Sequence, residues 1–131
     1  MKQTTRTRTA AQLVAEAKQH IENLTPADVV SELGKSDVLM VDIREPGERA
    51  ESGAIPNSVH APRWMLEFYA DPTSPYHRPE FDPARRTILY CASGGRSALA
   101  SQSLGQLGYS NVAHLDGGFK AWVAAGNSVD R

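Results

Sequence analysis

Apolar positions change period along the chain in a way that lays out alternating helices and strands. From Ala10 to Leu24, the residues Leu13, Val14, Ala17, Ile21 and Leu24 recur at helical spacing, which predicts an amphipathic helix whose stripe is narrowed by Glu16, Lys18 and Glu22. Residues 1–9 ahead of it are polar and read as a frayed end. Thr25-Pro26-Ala27-Asp28 has the pattern of a helix start: a hydroxyl to accept from an unpaired amide, proline in the first turn, and an acid three residues after the cap. Gly34 closes that helix. Val38 to Ile43 is then an apolar, β-branched run without alternation, as expected of a central parallel strand covered on both faces.

The second half repeats the scheme. Arg63 and Trp64 open a short apolar and aromatic helix containing Met65, Leu66, Phe68 and Tyr69. Residues 71–83 carry four prolines, too many for a helix, with enough aromatic character to order the loop; Tyr76 and Phe81 are its expected anchors. Thr87-Ile88-Leu89-Tyr90 is a β-prone run, followed by Cys91-Ala92-Ser93-Gly94-Gly95-Arg96-Ser97 and a helical tail through Leu104 and Leu107. Val112 to Leu115 makes a last strand, and Asp116-Gly117-Gly118-Phe119-Lys120-Ala121-Trp122 leads into a closing helix. Strands alternating with helices imply a three-layer α/β domain: an open, mainly parallel sheet with helices on both faces.

Composition narrows the classes of function. A length of 131 residues suits one domain, and a net charge of −1 gives no general attraction for nucleic acid or an anionic membrane. No apolar run approaches the ~20 residues of a membrane span, and the basic N-terminus has no apolar core behind it to act as an export signal. The single cysteine cannot form an internal disulfide, which fits a reducing, cytoplasmic setting. Dinucleotide and nucleotide-phosphate motifs, Cys/His zinc spacing and internal repeats are all lacking, so no cofactor or metal is expected.

That cysteine carries the candidate chemistry. Cys91 sits where a strand passes through a glycine-containing loop into a helix, and first-turn amides have no intrahelical acceptors. Gly94 and Gly95 let the loop curl around one point, so its amides, the positive end of the helix dipole and Arg96 together favour a thiolate. The opposing reading is that Cys91 is a small buried hydrophobe at a strand end. Gly94, Gly95, Arg96 and Ser97 favour the anion site, since each suits an anion and none serves an evident packing purpose.

The segment resembles the active-site loop of the rhodanese (sulfurtransferase) family, in which the cysteine carries a sulfane sulfur as a persulfide held by the loop amides. Only Ala92, Ser93, Gly94 and Gly95 stand between Cys91 and Arg96, whereas related phosphatases place five residues there; the shorter loop suits a sulfur atom better than a phosphate. Asp42-Ile43-Arg44-Glu45 resembles the family's Asp-x-Arg-Glu signature, and residues 115–122 match its closing Leu-x-Gly-Gly-x-x-Ala-Trp pattern. Residues 53–62 are similar to a third family segment, with Ala54, Asn57-Ser58 and His60 as departures. The resemblance implies a tail and added helix over residues 1–22, the domain over 23–127, and a short tail over 128–131.

It also implies roles. Cys91 is the expected nucleophile, and residues 92–97 the loop that holds the persulfide; Ser97 either bonds near the cysteine or caps the helix. Asp42 and Arg44 are supporting residues that organise neighbouring loops or form a structural ion pair. Arg63 either holds the sulfonate of a donor such as thiosulfate or packs on Trp64. His60 is a proton donor or a structural histidine. The expected partners are a small anionic sulfur donor and a thiophilic acceptor, cyanide or a thiol, with a sulfur-relay protein as a further candidate. Ala92 stands where many thiosulfate-active relatives carry a basic residue, which points toward another persulfide source. The rival class is a non-catalytic sulfur-carrier or docking module using the first helix and the aromatic loop.

Overall fold

A computed structural model describes residues 7–35 and 37–131, so the expectation of a frayed end falls outside the described residues for positions 1–6. The elements run α1 (Ala10–Lys18), β1 (Glu22–Leu24), α2 (Pro26–Leu33), β2 (Val38–Asp42), α3 (Pro46–Ser52) and β3 (Val59–His60). A 3₁₀ turn at Arg63–Met65 then runs into α4 (Leu66–Ala70), followed by β4 (Arg86–Tyr90), α5 (Gly95–Gln106), β5 (Val112–Leu115) and α6 (Gly118–Ala124). The strands form one parallel sheet in the order β1-β5-β4-β2-β3.

The uninterrupted apolar runs are explained by cover on both faces. Leu39, Val41, Ile43, Leu89 and Cys91 pack on one side with Leu66, Ala70, Ala100, Leu104 and Tyr109. Met40, Ile88, Tyr90, Ala113 and Leu115 pack on the other with Val29, Phe119 and Trp122. Successive residues thus serve opposite layers, each large buried side chain stabilising the fold by roughly 1.5–3 kcal/mol. Asp42 pairs in register with Tyr90, so the loops after β2 and β4 leave the same edge of the sheet.

Three sequence expectations are corrected. The first helix stops at Lys18, and Glu22–Leu24 is an edge strand paired with Ala113–Leu115. Burying Leu24 in the sheet outweighs its helical spacing, while the Asn23 amide donates to the Lys18 and Ile21 carbonyls and closes the helix end. Thr9 is an ordered N-cap rather than part of a frayed end: its hydroxyl accepts from Gln12 N, and Gln12 Oε1 accepts from Thr9 N. Of the two expected anchors of the proline-rich loop, Phe81 is buried in the core, whereas Tyr76 is 61% exposed and meets the edge of Phe68, itself largely exposed. The first helix packs on α5, bringing Val14 beside Gly95 at the mouth of the cysteine loop.

Candidate active site

The loop between β4 and α5 wraps around the sulfur of Cys91. Gly94 takes φ +103°, a turn open to glycine, and its amide donates to Sγ at 3.2 Å; the Ser97 amide donates at 3.3 Å. The loop is shaped from below by α6: Phe119 N donates to Cys91 O at 2.8 Å and Lys120 N to Ala92 O at 3.0 Å. In planar trans peptides the N–H points opposite to the carbonyl, so these two bonds turn the amides of Ala92 and Ser93 away from α6. Among the described residues, the amides of Ser93, Gly95 and Arg96 have no hydrogen-bond acceptor. The sulfur lies in a partly unsatisfied ring of N–H groups, the local chemistry of an anion site.

Gly118 makes this approach feasible. It has φ +64°, and a Cβ there would lie 2.6 Å from the carbonyl carbon and oxygen of Ala92 and 2.7 Å from Cys91 O. Gly118, which the sequence shows only as part of the lead into the closing helix, therefore also sets how closely the cysteine loop approaches α6. Cys91 itself is 1% exposed and belongs to the core cluster of one face of the sheet. Cys91 is thus a core position whose sulfur has polar partners.

Arg96 turns both terminal nitrogens to Glu48 of α3, at 2.7 and 2.9 Å. The bonds from Arg96 hold the Glu48 carboxyl down at about 2, and the same pair raises Arg96, with a smaller contribution from Cys91. Ser97 is the third residue of α5 and does not cap it; the cap position is Gly94. Its hydroxyl lies 2.8 Å from His114 Nδ1 and 3.6 Å from Cys91 Sγ, and His114 Nε2 lies 2.8 Å from Asn23 Oδ1.

Asp42 and Arg44 form a buried pair beneath this edge. Arg44 Nε and Nη2 donate to the two Asp42 oxygens at 3.0 and 2.8 Å, and Nη2 also reaches Gly53 O at 2.7 Å. The guanidinium lies 4.3 Å from the Phe119 ring centroid, under the helix that holds the cysteine loop. Burial pushes the Asp42 carboxyl up, but the bonds from Arg44 and from Arg49 outweigh it and hold it below its ordinary range. His60 donates through Nε2 to Arg44 O at 2.7 Å, a tie between loops.

Arg63 follows β3, its amide bonded to Ile43 O. Its Nη1 spans both oxygens of Glu67 at 2.8 and 2.9 Å, and Glu67 also accepts from Ser103 of α5. Nη1 is the only Arg63 side-chain nitrogen so engaged among the described residues. A cleft of about 480 Å³ between α2, β2 and α6, lined by Val30, Met40, Ile55 and Trp122, includes none of these residues. Among the described residues, no cluster of His, Cys, Asp or Glu could hold a metal ion, and no helix is long and apolar enough to cross a membrane.

Sequence reasoning missed Glu48, His114, Asn23 and the loop-facing amides of α6. Glu48 belongs to none of the motifs legible in the sequence, and it meets Arg96 only because β2 and β4 are neighbours in the sheet. His114 sits in an apolar strand run, Val112-Ala113-His114-Leu115; a titratable residue at such a position was the available signal.

A family model for the rhodanese-like domain matches residues 25–125. A protein from Allochromatium vinosum named sulfurtransferase is 39% identical over 90 residues, covering 69% of this chain and 76% of that one. A Saccharomyces cerevisiae protein named thiosulfate:glutathione sulfurtransferase is 32% identical over 114 residues, covering 82% and 81%. Among solved structures, a Rhodopseudomonas palustris protein described as of unknown function and a possible tyrosine phosphatase superposes with a TM-score of 0.90 at 43% identity, covering 99% of this chain and all of the other.

Proposed function

The chain belongs to the rhodanese-like domain family, and on that premise we propose that it is a sulfurtransferase that carries sulfane sulfur on Cys91. The observation that supports this reading is the pair of amides, Gly94 N and Ser97 N, on Sγ, with further amides of the same loop left for an atom bonded to that sulfur. In the first half-reaction the Cys91 thiolate attacks the outer sulfur of a donor such as thiosulfate. A bond forms between Sγ and the outer sulfur; the donor's S–S bond breaks, and its electron pair leaves with sulfite. The loop amides hold the terminal S⁻, and Arg96 adds charge that is partly offset by Glu48. Arg63, with Nε and Nη2 not spent on Glu67, is the proposed holder of the donor's oxygens.

In the second half-reaction an acceptor nucleophile takes the outer sulfur and returns the thiolate. Cyanide serves in the assay, and a small thiol is the proposed acceptor in the cell, in keeping with the glutathione named for the yeast relative. The chain has no second cysteine to resolve the persulfide internally, so the sulfur leaves to another molecule. The test is intact mass after incubation with thiosulfate, then after cyanide. A gain of about one sulfur atom that cyanide removes supports the persulfide. A gain only with a small persulfide moves the donor away from thiosulfate; no gain with either moves the reading to a docking module.

One observation favours testing a second activity: the description of the Rhodopseudomonas relative as a possible tyrosine phosphatase. The four-residue loop and the Arg96–Glu48 bridge oppose it here, since a phosphate needs the wider loop and a free guanidinium. Hydrolysis of p-nitrophenyl phosphate that depends on Cys91 would establish that reading instead.

A further inference from the structure

The Ser97 hydroxyl has one hydrogen and acceptors for it at His114 Nδ1, 2.8 Å away, and Gly94 O, 3.3 Å away, while its oxygen lies 3.6 Å from Cys91 Sγ, placed to accept from the thiol. The far side of the imidazole decides between the two acceptors. Asn23 Nδ2 donates to Lys18 O at 2.9 Å and Ile21 O at 3.2 Å, which orients the amide and leaves its Oδ1 2.8 Å from His114 Nε2. An amide oxygen only accepts, so Nε2 carries hydrogen. Burial pushes His114 down to about 4, with Asp116 acting upward and Lys18 downward, so the ring is neutral at ordinary pH. A neutral ring with hydrogen on Nε2 has a bare Nδ1, and the Ser97 hydrogen goes there. The oxygen that faces Sγ therefore presents a lone pair.

We propose that His114 is a positioning residue for Cys91: by holding the hydrogen of the Ser97 hydroxyl, it makes Ser97 an acceptor for the Cys91 thiol and leaves an anionic sulfur to the loop amides. When Cys91 ionises, the S–H bond breaks and the proton goes to solvent, not along Ser97 to the imidazole. Sγ is thus faced by two amides and one lone pair, while the unpaired amides of Ser93, Gly95 and Arg96 remain for an atom beyond it. Negative charge is better accommodated one bond further out than on Sγ, which suits a persulfide more than a bare thiolate.

The charged groups around the Ser97–His114 pair are themselves paired. Lys18 of α1 donates to Asp116, after β5, at 2.8 Å, and Arg96 of α5 faces Glu48 of α3. Asn23 of β1 is uncharged. None of these offers Nδ1 a competing hydrogen.

This inference rests on reading Cys91 as the sulfur-bearing nucleophile, and its test uses no sulfur transfer, so the two can fail separately. The pH profile of Cys91 alkylation by iodoacetamide is measured for the wild type, His114→Leu, Ser97→Ala and the double variant. Freeing the Ser97 hydroxyl in His114→Leu moves the profile to lower pH and speeds alkylation at neutral pH about threefold or more. In the Ser97→Ala background the same substitution has no effect. An unchanged profile, a shift to higher pH, or an equal shift in both backgrounds overturns the proposal. Imidazole ¹⁵N spectra of the wild type keep the test independent of whether a variant folds: the expected spectrum has bare Nδ1 and protonated Nε2 from pH 6 through the ionisation of Cys91. An imidazolium appearing as Cys91 ionises would show a proton relay and overturn it.

Discussion

Glu48 meets Arg96 through two parallel hydrogen bonds, 2.7 and 2.9 Å, so the one arginine of the cysteine loop is already paired with a carboxylate before any anion arrives. Because Arg96 holds the Glu48 carboxyl down at about 2, the pair stays charged throughout the neutral range. Glu48→Gln keeps a polar partner and removes the negative charge. Its expected effect is a KM for thiosulfate lowered about two- to fivefold with kcat within about twofold, read from thiocyanate formation. A raised KM would mean that the bridge's main task is to hold the loop in shape.

Gly118→Ala forces a Cβ against the Ala92 and Cys91 carbonyls at a backbone angle that L side chains rarely adopt. The strain costs about 1–3 kcal/mol, and relieving it shifts the loop amides off the sulfur. We expect a lower Tm together with at least about a tenfold loss of kcat. Gly105→Ala is the contrast: it lies in α5 with open space around it and should raise stability by about 0.4–1 kcal/mol without touching kinetics. A Gly118→Ala protein with wild-type kcat would remove α6 from the positioning of the loop.

Acid should weaken the fold through His114. Its folded value of about 4 lies below the ordinary value of 6.5, so the unfolded chain binds the proton more readily. The stability gained from a neutral buried ring is full above pH 6.5 and declines as the pH falls toward 4, by about 3 kcal/mol at most. Urea unfolding at pH 7 and pH 4.5 reads this directly. The wild type should lose more than His114→Leu between the two conditions, whereas equal losses would assign the decline to carboxylates such as Asp42.

Arg63→Ala separates binding from chemistry. Loss of a guanidinium that holds the donor's oxygens raises KM for thiosulfate several-fold while kcat changes little. Glu67 keeps Ser103 as a partner in the variant, so α4 and α5 stay joined. Unchanged kinetics would make Arg63 a local partner of Glu67 only.

How much of this was legible in the sequence depends on the range of the interaction. Thr25, Pro26 and Asp28 announced α2, and the run from Val38 announced a two-faced strand, because caps and periodicity are local. Cys91 and its loop could be found by spacing alone. The β1 strand was hidden because Leu24 continues a helical spacing, and only pairing with β5, ninety residues away, decides its fate. Glu48 and His114 were missed for the same reason: each reaches the loop from another strand–helix unit, and although a histidine in an apolar run is itself a signal, nothing nearby in the sequence names its partner.

The two bonds from α6 to the carbonyls of Cys91 and Ala92 also set an order of events during biosynthesis. Residues 91–97 leave the ribosome well before Phe119 and Lys120, and until those amides dock nothing below the loop turns the Ala92 and Ser93 amides inward. On the proposed function, the cysteine loop therefore takes its working shape only after α6, made later than the loop, has docked beneath it.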